Sequence, residues 1–329
     1  MKVITVEEHF ATPELIEAWE GLPPEHFDPA VGIYKGPAGG PLLELGERRL
    51  EWMDQMGVDV QVLSVTTPGA QPLEAAAAVD LAARSNDLLG GLVAANPERF
   101  QGFATLATPD PEAAAAELRR AVGELGLQGG MTFGRTREQN LDHPDYEPIF
   151  AAAAELRAPL FLHPQMPQRV VREALYEGLP GKFGLGLASA GLGWHYEAGV
   201  QFLRLVLAGV LDRHPDLRII LGHWGDLVTF YLDEIEVLSK LGPDGQRPIA
   251  EYFREHVYIV PSGTLTHTYL PLATEVLGPD RLLFGLDYPF VPRKPGEVER
   301  FFDGLPAEAA AREKFAAGNW EQLVARIRA

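Results

Sequence analysis

Glu7 and His9 stand two residues apart at the end of the β-branched run Val3-Ile4-Thr5-Val6. Side chains at i and i+2 leave a strand on the same side, so a carboxylate and an imidazole there can converge on one point. His163 ends Pro159-Leu160-Phe161-Leu162 and is followed by Pro164, which stops a strand where the histidine is displayed. Asp287 closes Leu282-Leu283-Phe284-Gly285-Leu286 and precedes Tyr288-Pro289, while His223 closes Arg218-Ile219-Ile220-Leu221-Gly222 and precedes Trp224-Gly225-Asp226. A lone strand-end histidine is commonly a satisfied structural residue and a lone aspartate a helix cap. Five such groups, each at the end of an apolar run, point instead to a metal centre of carboxylate and imidazole ligands.

The chain has no cysteine, so any ion is held by His, Asp and Glu. That donor set suits zinc, with manganese as the alternative. A two-metal centre calls for a bridging group, often a modified lysine at the fourth strand end, yet Gly129-Gly130-Met131-Thr132-Phe133-Gly134 offers none. One divalent ion is therefore expected. His223 is either a further ligand or a proton-transferring group oriented by Asp226, three residues on.

The elements that must position these groups are short β-rich runs separated by Ala-rich, helix-periodic stretches. This is the signature of repeated βα units and a parallel sheet. Eight runs stand out, at 3–7, 60–65, 102–107, 128–133, 159–163, 218–223, 257–260 and 282–287. Their apolar content suits strands covered on both faces. Pro109-Asp110-Pro111-Glu112 is a helix start, with proline and acid suited to a first turn. The pattern predicts an α/β fold, a (β/α)8 TIM barrel in one domain over 1–329, with the five groups at the C-terminal strand ends where barrel enzymes keep their chemistry. Two long connections, about 10–46 after the first strand and 164–195 after the fifth, are expected to be lid loops over that face.

The formal net charge of -18, with Lys and Arg forming no block, speaks against nucleic acid as a partner. No apolar window is long enough to span a bilayer, and MKVITVEEHF turns acidic where a secretory signal would stay apolar. A cytoplasmic enzyme with a small-molecule substrate and no membrane partner is expected.

The residues Glu7-Glu8-His9-Phe10, Arg49-Leu50, Met53-Asp54, Gly57-Val58-Asp59, Ser85-Asn86-Asp87, Pro97-Glu98-Arg99-Phe100, Tyr146, Pro148, Phe150, His163-Pro164, His214-Pro215, Gly222-His223-Trp224-Gly225 and Asp287-Tyr288-Pro289 run the length of the chain. In order and spacing they resemble the decarboxylase-type branch of the amidohydrolase superfamily, the group of the γ-resorcylate and aminocarboxymuconate semialdehyde decarboxylases. The resemblance implies that Glu7, His9, His163 and Asp287 bind the metal and that His223 sits beside the substrate. It implies a nonoxidative, metal-dependent decarboxylase of a small hydroxylated aromatic or unsaturated acid, in which Asp287 delivers a proton to carbon. A homodimer or homotetramer is expected from the same likeness.

Two positions depart from the pattern: Asp226 stands where glutamate is usual, and Glu234 where an arginine faces the substrate's acidic group. Reversing that charge should repel a carboxylate. It favours the alternative, hydrolysis of a lactone, amide or imide by metal-activated water with Asp287 taking the proton. A barrel that binds without turnover is a third reading, for which Asp287→Asn would be silent. Arg49, Arg135, Arg169 and Lys182 are cations near the expected mouth, and Phe133, Trp194 and Tyr288 are aromatics placed to line a pocket, so Arg49, Phe133, Trp194, Tyr288 and Glu234 are taken as substrate contacts.

Overall fold

The computed structural model describes residues 1–243 and 246–328. Seven of the eight expected runs form strands: Ile4–Phe10, Val60–Val65, Phe100–Gly102 continued by Ala104–Thr105, Gly130–Phe133, Leu160–His163, Ile219–Leu221 and Val257–Ile259. All neighbours pair in parallel. The eighth run closes the barrel without a regular ladder. It makes single bridges, Ile259 to Leu282 and Glu8 to Tyr288, and its carbonyls at Phe284 and Tyr288 accept the N–H groups of Val6 and His9 at 2.7 Å each. The irregularity has a local cause, because the Glu8 carboxylate accepts the N–H groups of Leu286 and Tyr288 at 2.9 and 3.3 Å where a strand would offer carbonyls.

Inward residues of successive strands, among them Val6, Val62, Phe103, Phe161 and Ile220, fill the barrel as one buried cluster. Trp320 and Leu323, from helix Asn319–Val324, belong to the same cluster and plug one end of it. Trp320 packs edge-on against Phe103 and donates its indole N–H to Gln101 Oε1 at 2.7 Å. The outward faces pack against the helices in a second, larger cluster. Helix Pro111–Gly123 begins as expected, with Asp110 Oδ1 accepting the Ala113 N–H at 3.1 Å and Pro111 in the first turn.

The two long connections, expected as loops, carry short helices. The first holds Pro13–Glu20, Pro29–Lys35 and Gly39–Leu43, and the second Arg169–Leu175, Phe183–Gly186 and Leu187–Gly191. They meet in a satellite core of Ala30, Met166, Tyr176 and Ala188, against which Trp194 packs. No helix among the described residues is long and apolar enough to cross a membrane.

Candidate active site

The first strand sets the site through a bulge. Its register against the second strand slips between Val6 and Glu8, so Glu7 is the extra residue, at φ 141°. Val6 already faces the barrel interior. In an unbroken strand Glu7 would face outward; the bulge turns it inward, sends Glu8 outward and brings His9 back in.

Four side chains then meet at the mouth. Glu7, His9 and His163 are buried and offer donor atoms that lie within 4.8 Å of one another. Glu7 Oε1 is 3.5 Å from His163 Nε2, and Asp287 Oδ1 is 3.4 Å from His9 Nε2. His163 Nδ1 lies 2.7 Å from the Pro164 carbonyl, which can only accept, so the proton sits on Nδ1 and the Nε2 lone pair faces the cup. His9 Nδ1 pairs with Ser64 Oγ at 3.3 Å, leaving Nε2 for the cup. Ser262 Oγ–H donates to Glu7 Oε2 and accepts the His223 N–H at 2.7 Å.

The donor chemistry passes the test for a cation. Glu7 Oε1 and His9 Nε2 are buried with no hydrogen-bond partner among the described residues, which is expensive unless something else meets them. Burial pushes the His9 imidazole down to about 3 and holds His163 well below the usual range, so both are neutral donors. Burial, then the charge of Asp287, raises Glu7 well above the usual carboxylate range, and burial raises Asp287 to about 7. Two crowded carboxylates and two neutral imidazoles are complementary to one divalent ion. The described residues put no lysine on the fourth strand, Gly130–Phe133.

His223 and Asp226 occupy an irregular turn in which His223, Trp224, Asp226 and Leu227 have φ of 51, 62, 44 and 71°. Ser262 and Asp287, at 46 and 59°, share this left-handed conformation. Such strain in non-glycine residues persists only where the surroundings over-determine it, and it gathers at functional sites. Asp226 is buried, and its Oδ1 receives His223 Nδ1 at 3.1 Å, which leaves His223 Nε2 free. The His223 ring is 6.3 Å from that of His163.

Comparison with known proteins gives the family. Residues 37–324 match the family model described as "Amidohydrolase". The chain belongs to the amidohydrolase family. It is 34% identical over 332 residues to a γ-resorcylate decarboxylase of Rhodococcus jostii, covering 96% of each. Two solved structures superpose over nearly the whole amidohydrolase chain. One is a dihydroxybenzoic acid decarboxylase of Polaromonas with manganese and 2-nitroresorcinol (31% identity, TM-score 0.85, 100% and 98% covered). The other is a 5-carboxyvanillate decarboxylase of Novosphingobium aromaticivorans with manganese (29%, TM-score 0.89, 98% and 97% covered).

Against the expected substrate contacts of this amidohydrolase, the geometry makes three corrections. Arg49 is fully buried behind the first strand, where its guanidinium is used up on the carbonyls of Glu44, His9 and Pro41 and on Gln61 Oε1. Tyr288 points outward too, with the Arg49 guanidinium over its ring at 4.7 Å and the tilted Trp52 ring at 4.3 Å. Glu234 is exposed on the rim of a surface cavity lined by Leu192, Tyr196, Tyr231 and Leu238, outside the cup. Of the remaining two, Phe133 contacts a cup residue and Trp194 packs on the satellite core. Phe133 is 5.6 Å edge-on from the His163 ring, and Trp194 is half-buried with its indole N–H unpartnered.

Other residues that share the site carried no strand-end signal. Ser262 links Glu7 to His223. His195 places Nδ1 3.2 Å from Asp226 Oδ1. Phe290 packs 5.6 Å from the His9 ring. Arg293 has Nε and Nη2 buried and, among the described residues, unpartnered; burial raises Asp287, and the Arg293 charge opposes it only in small part.

Proposed function

We propose that this amidohydrolase is a metal-dependent, nonoxidative decarboxylase of a small hydroxylated aromatic acid. The observation that carries the reading is the buried cup of Glu7, His9, His163 and Asp287 with its unpartnered Glu7 Oε1 and His9 Nε2. It is supported by the likeness, over nearly the whole chain, to relatives named as aromatic acid decarboxylases. One divalent ion, zinc or manganese, would be held by these four residues and would supply positive charge to the substrate's carboxylate and adjacent oxygen.

The protein's own groups do the rest. Asp287, 3.4 Å from His9 Nε2, is the group that carries the proton. It delivers that proton to the ring carbon bearing the carboxylate. A C–H bond forms there, the C–C bond breaks with its electron pair returning to the ring, and carbon dioxide leaves with no oxidant needed. His223, held by Asp226, lies beside the substrate with Nε2 free to return a proton to Asp287. Arg293, with its poor 3.6 Å pair to Glu297 and its two unpartnered nitrogens, is the cation assigned to the substrate's acidic group. Phe133 and Trp194 supply apolar walls.

Hydrolysis drew its support from Glu234, whose exposed position leaves its charge screened by solvent. Metal-loaded protein is expected to release carbon dioxide from 2,6-dihydroxybenzoate or a related hydroxybenzoate and to leave lactones and esters intact; the reverse result supports hydrolysis. The same proposal includes a cytoplasmic location and a homodimer or homotetramer, the latter open to light scattering.

A further inference from the structure

His195 stands in the first turn of helix Gly193–Leu207, at the end of the second insertion. Both of its ring nitrogens face acceptors. Nδ1 is 3.2 Å from Asp226 Oδ1, and Nε2 is 3.0 Å from the Ala190 carbonyl oxygen. A carbonyl cannot donate, so Nε2 carries a proton. Asp226 Oδ1 is also the atom that receives His223 Nδ1 at 3.1 Å, while Asp226 Oδ2 is buried with no partner among the described residues on which a carboxyl proton could be spent. An ionised Asp226 therefore accepts from both imidazoles, and His195 has a proton on each nitrogen. The His195 and His223 rings lie 4.3 Å apart, so the two histidines flank one carboxylate.

We propose that His195 is a positioning residue, an imidazolium clamped between Asp226 and the Ala190 carbonyl, that fixes the Asp226–His223 pair and ties the second insertion to it. The assignment of His223 beside the substrate rests on the decarboxylase reading; the protonation and clamping of His195 do not.

The clamp spans the least regular backbone of the insertion. Ser189 has φ -97° and ψ -129° inside the turn Leu187–Gly191, and Leu192 has φ -167° and ψ -50°. Ala190 lies between them, so its hydrogen bond to His195 anchors the segment that carries Ala188 into the satellite core. With His195 holding Asp226 by charge, the carboxylate is neutralised before His223 is considered. His223 then needs only to donate Nδ1–H to it, which fixes the tautomer with Nε2 free. The charged and titratable groups facing His195 are Asp226, His223 and, at longer range, Asp287.

The primary test is nitrogen NMR of the imidazoles in the zinc-loaded wild-type enzyme, which needs no substrate. Two N–H groups on His195 at pH 7 are expected; a single one overturns the proposal whatever the enzyme turns over. The second test is a charge rescue on 2,6-dihydroxybenzoate decarboxylation. His195→Gln is expected to lower kcat about 10–100-fold, the range for removing a group that orients a metal-site residue, with metal content unchanged and KM within about twofold. His195→Lys, which returns a cation to Asp226, is expected to recover part of that loss. Equal activity in wild type and His195→Gln, or joint loss of kcat and bound metal in both variants, contradicts a positioning role.

Discussion

Asp287 is the residue on which two roles converge, since its carboxylate both completes the cup and is the proposed proton donor to the ring carbon. Asp287→Asn removes the transferable proton while keeping the shape, so kcat should fall by about 10²–10⁴, the usual worth of a positioned acid. Steady-state kinetics on the folded, metal-analysed variant checks this. The His195–Asp226 pair makes a separate prediction in stability. Burial opposes the charged form of His195, but the Asp226 hydrogen bond and charge outweigh it, and the imidazole is raised above 6.5. Burial likewise opposes the Asp226 charge, and the two imidazole hydrogen bonds outweigh it, lowering the carboxyl below 3.8. The His195 contribution is complete below 6.5 and is lost as pH rises through its folded value; that of Asp226 is complete above 3.8 and is lost as pH falls through its folded value. The Tm gap between wild type and His195→Gln should therefore be widest between about pH 4 and 6.5 and should narrow at alkaline pH. Glu7, His9, His163, His223 and Asp287 were legible in the sequence because each ends an apolar run. His195, Ser262 and Arg293 were not, because they lie in turns and insertions where no period marks a direction.

At the scale of elements, the eight runs were readable from their apolar content, and seven became strands. The bulge at Glu7 was hidden by the sequence Glu7-Glu8, in which either carboxylate could serve the inner face once the register slips. The broken eighth strand follows from that slip, since Glu8, now outward, takes the N–H groups of Leu286 and Tyr288. Arg49 misled because a buried cation satisfied by carbonyls looks, in sequence, like a cation awaiting a ligand. Gly222 lets the sixth strand end approach Glu7 and Ser262: a Cβ there would lie 2.8 Å from Ser262 Oγ and 3.1 Å from Glu7 Oε1. Gly222→Ala should displace Ser262 and weaken metal binding about 10–100-fold, with little change in secondary structure. Metal titration followed by calorimetry measures it.

For the whole molecule, the barrel is packed at one end and chemical at the other. Trp320→Ala opens the packed end, where large-to-small changes of this kind cost about 3–5 kcal/mol, and should lower the urea midpoint while leaving KM and metal content as they are. The opposite end should gain from its ion. Metal at about 100 times its Kd would stabilise the folded state by about 2.7 kcal/mol, so chelation should lower Tm and readdition should restore it. The central claim is decided by one measurement, carbon dioxide released per molecule of 2,6-dihydroxybenzoate consumed by the metal-loaded enzyme. One equivalent, lost on chelation and restored by zinc or manganese, is the predicted result. Hydroxybenzoates left intact by demonstrably metal-loaded protein, with a lactone or ester hydrolysed in their place, would contradict it.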